Sequence, residues 1–162
     1  MERKISEKND PALDIKKLMS AIDNEENEGM LNINYERLNK AKVDALTELF
    51  LNGDADDETE EDFLTIQKQL KEYRYVDQIK DIHYGSYLRW ISLKPQKNRT
   101  IKLTTGGLVC DLPVSKTSGE VNIVCRNNMH RFFTVKMNEN IIFQKLTDQE
   151  QVILAAVNYL QI

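Results

Sequence analysis

The chain has 162 residues, of which 30% are charged and 41% are hydrophobic. This length suits one domain, or a small domain with an extension, and the composition excludes a disordered or fibrous protein. The net charge of -4 at pH 7 excludes a strong attraction of the whole molecule to phosphate or to membrane surfaces.

Charge is distributed unevenly along the chain. Residues 1–80 hold 12 Lys and Arg against 20 Asp and Glu, whereas residues 81–162 hold 10 against 6. The first half therefore has a net charge of -8 and the second a net charge of +4. Such an asymmetry indicates either a charged partner or mutual neutralisation of the two halves in the fold, and the sequence leaves both open.

Residues 1–30 are predicted to form a polar, partly ordered N-terminal extension. They begin with MERKISEKNDP, which lacks the apolar core of a signal peptide, and no run in the chain reaches the ~20 apolar residues of a membrane helix. We therefore expect a protein without membrane contacts. One short amphipathic piece, around residues 13–22, is too short to be stable alone and is expected to order by docking on its own domain or on a partner.

Residues 31–80 are predicted to be an acidic helical region. One helix is expected from about residue 34 to residue 51, where Asn52 and Gly53 end it. A second is expected over about 59–76, because Phe63, Ile66, Leu70 and Tyr73 recur at spacings of 3, 4 and 3. Two helices joined by a short loop favour an antiparallel helical hairpin.

Residues 81–162 are predicted to be a small β domain followed by a helix. The hydrophobic period changes to two, and tight turns favour strands over 87–93, 100–104, 108–114, 121–125 and 131–136, with a reversal at 105–107. Thr147 and Glu150 form a capping box that starts a final helix. We expect an α+β fold, in which an N-terminal helical hairpin precedes a small antiparallel β-barrel, SH3-like or similar, closed by the C-terminal helix.

No catalytic, metal or cofactor site is expected from the sequence. The acidic run 54–62 does not fit a calcium loop, since Thr59 and Thr65 occupy the positions that require glycine and glutamate. Cys110 and Cys125 lack the spacing of a zinc site and are predicted to be buried free thiols. His83 and His130 have no nucleophile beside them, although Cys125 and His130 could meet across a turn. We therefore expect a protein that is not an enzyme.

Basic and aromatic residues are interleaved between residues 85 and 145, as in small barrels that bind single-stranded nucleic acid. The alternative is that the aromatic residues belong to the core and the basic residues lie on solvated faces or pair with the acidic helices. The candidate binding surface consists of Arg89, Trp90, Lys94, Lys97, Arg99, Lys102, Arg126 and Arg131.

Three segments, YLRWISL (87–93), LTTGGLVCDL (103–112) and IIFQKLTDQEQVIL (141–154), carry a resemblance that extends over about 85–162. The chain there resembles uncharacterised proteins of nucleocytoplasmic large DNA viruses of algae and protists. The resemblance implies a structural or assembly protein, a minor capsid or virion-associated component in the virion or the host cytoplasm. It implies other protein subunits, such as capsid proteins, as partners, and it assigns no functional residues.

Two functions follow as expectations. In the first, the chain is a non-catalytic structural protein whose segment 1–30 docks on a neighbour, so that deleting this segment abolishes association and leaves the thermal transition of the rest unchanged. In the second, the basic face of residues 85–145 binds nucleic acid, with an affinity that falls steeply with salt.

Overall fold

The computed structural model describes residues 14–31, 33–51, 57–93, 101–113 and 119–160. Its α-helices are α1 (Ile15–Asp23), α2 (Tyr35–Leu51), α3 (Asp57–Gln69) and α4 (Asp148–Leu160), and short 3-10 helices lie at Glu25–Met30, Ile79–Asp81 and Met137–Glu139. Its strands are β1 (Tyr73–Val76), β2 (Tyr87–Ser92), β3 (Gly107–Asp111), β4 (Asn122–Arg126), β5 (Phe132–Lys136) and β6 (Asn140–Lys145). None of the described helices combines the length and the apolar character needed to cross a bilayer.

The chain divides into two compact units. One is formed by Met1–Asn39 and Leu146–Ile162, and the other by Lys40–Lys145. The sequence predicts a different, three-part division (1–30, 31–80 and 81–162), and that division stays a prediction.

The first unit is built around α4 and α1. The capping box that starts α4 is confirmed, since the Thr147 N–H donates to Glu150 Oε1 (3.0 Å) and the Glu150 N–H donates to Thr147 Oγ1 (3.1 Å). The buried face of this helix packs against Ala21 of α1 and against Met30. The expectation that the final helix closes a barrel is therefore wrong, because its apolar face is covered within this unit.

Helix α1 docks on its own chain, which resolves one alternative that the sequence left open. Ala21 is fully buried, and the amides of Asn24 and Asn27 both donate to Gln149 Oε1, at 2.8 and 3.0 Å. Because these contacts fix α1 and the following 3-10 helix onto α4, the short amphipathic piece is part of a packed core.

The second unit contains one six-stranded sheet in the order β1-β6-β2-β3-β4-β5, and all of its strand pairs are antiparallel. The predicted closed barrel is wrong, because closure would require β1 to pair with β5 and these two strands lie at opposite edges. The α+β class is confirmed. Strand β6, which the sequence patterns did not predict, inserts between β1 and β2.

The second predicted helix ends earlier than expected. Helix α3 stops at Gln69, and residues 73–76, which were predicted to continue it, form β1 in register with β6. The predicted antiparallel hairpin of α2 and α3 is not confirmed. The rings of Phe50 and Phe63 from these helices are in edge-to-face contact, with centroids 5.3 Å apart, while the connection at residues 52–56 lies outside the described residues.

Over 101–104, the described part of the strand expected at 100–104, the structure has only a single bridge at Leu103, and the reversal expected after it is wrong. Leu103 pairs with Ile91 and Gly107 pairs with Leu88, so four steps along this segment oppose three steps along β2. The extra residue forms a bulge. Gly106 has a φ of +90°, and a Cβ there would collide with the Leu88 carbonyl oxygen, so this bulge requires glycine.

Each face of the sheet has its own apolar cluster. On the core face, the buried residues are Val76, Ile82, Leu88, Val109, Ile123, Cys125, Val135 and Ile142. On the opposite face, which we call the helix face, α2 and α3 contribute Leu46, Phe50, Ile66 and Leu70 to a cluster with Ile91, Leu103 and Phe143.

Candidate functional site

Among the described residues, helices cover the helix face over only half of the sheet. Over β1, β6 and β2 the helices α2 and α3 bury it, as the full burial of Phe143 shows. Over β3, β4 and β5 the same face is exposed to solvent at Leu108, Arg126, Phe132 and Thr134. We call these four residues the exposed half-face.

Cross-strand pairing brings three of these residues into one row. Leu108 pairs with Tyr87 of β2 on one side and with Arg126 of β4 on the other, and Arg126 pairs with Phe132 of β5. Directly opposed residues on neighbouring strands project from the same face. The row therefore runs Tyr87, Leu108, Arg126, Phe132 across four strands, with a cation between apolar side chains.

The two ends of this row differ in solvent exposure. Phe132 is 66% exposed and Leu108 is 37% exposed, whereas Tyr87 is half-buried and its hydroxyl donates to the Thr105 carbonyl at 2.6 Å. The apolar surface available to another molecule thus increases toward β5, at the edge of the sheet.

The turn between β4 and β5 is fixed by Asn127. Its N–H donates to the Arg131 carbonyl at 2.9 Å, and its Oδ1 accepts from the N–H groups of Met129 and Arg131, both at 3.0 Å. His130 has a φ of 60°, a conformation in which histidine is enriched among non-glycine residues. This turn holds the exposed Met129 and Arg131 beside the start of β5.

The two cysteines differ in exposure. Cys125 is fully buried on the core face, as expected, and burial raises the pKa of its thiol to about 12. Near neutral pH this thiol stays protonated, which argues against a Cys125 thiolate nucleophile beside His130. The prediction that Cys110 is buried is wrong, because a bulge at Val109–Asp111 displaces it and its side chain is exposed.

The sequence-predicted binding residues that the structure describes do not all lie on one face of the sheet. Trp90 lies on the core face, where it packs against the buried cluster. Arg89 projects from the helix face but is half-buried, with its Nε donating to the Thr104 carbonyl at 2.8 Å. Lys102 is exposed in the segment before β3. Lys94, Lys97 and Arg99 lie outside the described residues.

Of the predicted set, Arg126 and Arg131 lie together in the β4–β5 hairpin. Three residues of the exposed half-face were not in the predicted set, namely Leu108, Phe132 and Thr134. In the sequence, the adjacent pair Phe132–Phe133 indicates an exposed aromatic residue, because two consecutive strand residues project from opposite faces of a sheet. When only one face of a sheet is fully covered, at least one of two adjacent phenylalanines in a strand faces solvent.

A cleft of about 610 Å³ lies in the first unit between α1 and α4. Its charged and polar lining consists of Lys16, Lys17, Ser20, Asp148, Gln149 and Gln151. Lys16, Lys17 and Asp148 are exposed, so their side chains retain contact with water. Among the described residues, Val152 is the one apolar residue that lines this cleft, whereas small-molecule sites are lined predominantly by hydrophobic and aromatic side chains.

In the part of the chain that the structure describes, no group of three or more His, Cys, Asp or Glu side chains is arranged to hold a metal ion. Comparisons of the chain with protein-family models, with curated proteins and with solved structures found no match.

Proposed function

We propose that the chain is a non-catalytic assembly protein that docks another protein on the exposed half-face of its sheet. The observation that supports this is the unequal coverage of one sheet face, buried by helices over β1, β6 and β2 and open over β3–β5. The resemblance of residues 85–162 supplies the proposed setting, a minor capsid or virion-associated component of a large DNA virus.

The chemistry of the exposed half-face suits a protein partner. Phe132 and Leu108 offer apolar area, and Arg126 lies between them in the row. Aromatic residues and arginine are the side chains that most often dominate the energy of protein interfaces.

The test is recovery of the tagged chain with virus particles from infected host cells, after nuclease treatment. We expect the wild-type chain to be recovered with particles and the double variant R126E/F132S to be lost from them. Leu64→Ser is the matched control, because Leu64 is 57% exposed on α3 and is not part of the exposed half-face. Equal recovery of the double variant and the wild type, or recovery that nuclease abolishes, would contradict the proposal.

A second candidate function, single-stranded nucleic-acid binding, is favoured by the row itself. Phe132 could stack a base, and Arg126 beside it could contact a phosphate. This alternative predicts that a labelled oligonucleotide binds at low salt and that log K falls linearly with log salt concentration. The F132S variant should weaken such binding, and the absence of binding at low salt would dismiss it.

A further inference from the structure

The two edge strands of the sheet differ in how they are covered. In β1 every residue is buried or half-buried, and the Tyr73 carbonyl accepts a hydrogen bond from Lys42 Nζ at 3.2 Å. In β5 four of the five residues are exposed. Phe132–Val135 contains no proline or charge, and the charged residues that can oppose strand pairing, Arg131 and Lys136, lie at the two ends of this stretch.

Hydrogen-bond phase identifies which backbone groups of β5 face outward. The Asn127 N–H donates to the Arg131 carbonyl, so these two residues form a hydrogen-bonded pair. Bonded and non-bonded pairs alternate along antiparallel strands. Phe133 and Val135 therefore bond toward β4, while the peptide groups of Phe132, Thr134 and Lys136 point away from it.

Part of this outward row is open. The Lys136 carbonyl accepts from Asn140 Nδ2 at 2.8 Å. Within the described residues, the backbone groups of Phe132 and Thr134 have no hydrogen-bond partner beyond solvent. An added strand could bond to both of these residues without displacing anything from β4.

The side chains along this edge indicate which residue types an added strand would need on each of its faces. On the core face, Phe133 is 45% exposed beside the buried Val135, which leaves apolar area for an apolar side chain to cover. On the helix face, Phe132, Thr134 and Lys136 alternate with them. Residues 122–136 contain three basic residues and no acidic residue. The complementary strand therefore has apolar residues on one face and acidic residues on the other.

We propose that β5 accepts an extended acidic segment of a partner protein as a seventh, antiparallel strand, an inference that rests on the proposed function and adds its mode of docking. Strand addition of this kind draws affinity from backbone hydrogen bonds and specificity from alternate side chains. A second copy of β5 does not fit, because Arg131 and Lys136 of two copies would bring like charges to one interface.

The probe is a short blocked peptide in which glutamate and valine alternate, titrated into the full ¹⁵N-labelled chain. We expect shifts and slowed exchange at the amides of Phe132 and Thr134. A peptide with lysine in place of glutamate should bind about tenfold or more weakly, since it would face the basic hairpin with like charge. Slowed exchange confined to other residues, or equal binding of both peptides, would overturn the inference.

The decisive variant is Thr134→Pro, which removes one outward N–H and places a ring where the added strand approaches. Proline is tolerated at such an edge position because no β4 bond is lost. Thr134→Val, which keeps the N–H, is the control. We expect the proline variant to bind the acidic peptide about tenfold or more weakly than the valine variant does. Amide spectra of both variants report whether the fold is retained, and R131E/K136E gives a second test that leaves the backbone unchanged.

These outcomes separate the inference from the proposed function. If R126E/F132S loses the particles while a folded Thr134→Pro chain is still recovered with them, the docking function stands and strand addition is wrong. If neither variant affects recovery, the proposed function is wrong as well. Binding of an oligonucleotide in place of the acidic peptide, or dimerisation through β5, would also overturn the inference.

Discussion

Lys42 on α2 is buried, although lysine is seldom buried without a charged partner. Its Nζ donates to the carbonyls of Leu70 and Tyr73, at 2.8 and 3.2 Å. These carbonyls flank the turn between α3 and β1, which is the point where the sequence pattern predicted an uninterrupted helix. Burial lowers the pKa of this lysine below its ordinary value. Lys42 thus ties α2 to the turn that redirects the chain into the sheet.

We predict that Lys42→Met lowers the free energy of unfolding by about 1–3 kcal/mol near neutral pH, because two carbonyls lose their donor. The folded-state pKa of Lys42 is lower than the 10.5 of the unfolded chain, so the unfolded state holds this proton more strongly. Stability of the wild type should therefore rise relative to the variant as pH approaches 10.5. Urea denaturation of both proteins at about pH 7 and about pH 10 measures this difference.

The control is Lys40→Met, which removes an exposed lysine that pairs with Asp44 on the surface of the same helix. Water and salt screen such surface pairs, which contribute little to stability, so this variant should stay close to the wild type. A gap between wild type and Lys42→Met that narrows with rising pH would contradict the assigned direction of the pKa shift.

At the residue level, charge patterning predicted part of the candidate site. Arg126 and Arg131 were identified because basic residues cluster in the second half of the chain. Trp90 was included as an aromatic residue, but it lies on the core face. Both faces of β2 carry apolar residues, so the sequence pattern does not show which face is the core face. The pair Phe132–Phe133 indicates an exposed phenylalanine, but which of the two is more exposed depends on how each face of the sheet is covered, and the strand sequence does not show that coverage.

At the level of secondary-structure elements, the packing of the first unit changes what we expect from deletion of the N-terminal segment, residues 1–30. Met30 is 1% exposed and packs with Leu146, Ile153 and Leu154. A segment that supplies a fully buried side chain contributes to the stability of the unit that it completes. The expectation that deleting residues 1–30 leaves the thermal transition unchanged is therefore replaced by an expected loss of stability.

We predict that Met30→Ala lowers the free energy of unfolding of this unit by about 2–5 kcal/mol, the usual range for emptying a buried methionine site. Met19→Ala is the matched control, because Met19 is 53% exposed on α1 and its loss should cost about 0.5 kcal/mol or less. Denaturant titration followed by helical circular dichroism measures both. Similar effects of the two substitutions would show that the core around α4 does not depend on Met30.

Elements with a local signal were predicted well and elements defined by distant pairing were not. Helix α4 begins with a capping box, and β2, β4 and β5 lie close to their predicted ranges. Strand β6 was missed because Ile141, Ile142 and Phe143 form a continuous apolar run that is buried on both faces, without the alternation of a half-buried strand. Strand β1 was mistaken for helix because its partner β6 lies about 70 residues further along the chain.

For the whole molecule, the net charge of -4 conceals a local excess of positive charge at one edge of the sheet. Arg131 and Lys136 lie at the two ends of the exposed part of β5, and both are exposed. Charges at an open edge are a common defence against pairing of two sheets. These two residues can therefore serve two purposes, attraction of an acidic strand and repulsion of a second copy.

We predict that replacing both residues, in R131S/K136S, converts the chain into one that self-associates through β5 at low salt, whereas the wild type does not. The control K71S/K80S removes two exposed lysines elsewhere in the same unit and changes the net charge equally. Sedimentation velocity over a range of protein concentrations measures association. Salt should bring the wild type toward the behaviour of R131S/K136S, because the Debye length is only about 10 Å at 0.1 M. Equal association of the control variant would show that the net charge of the molecule causes the effect. Arg131 and Lys136 would then have no specific role in preventing self-association through β5.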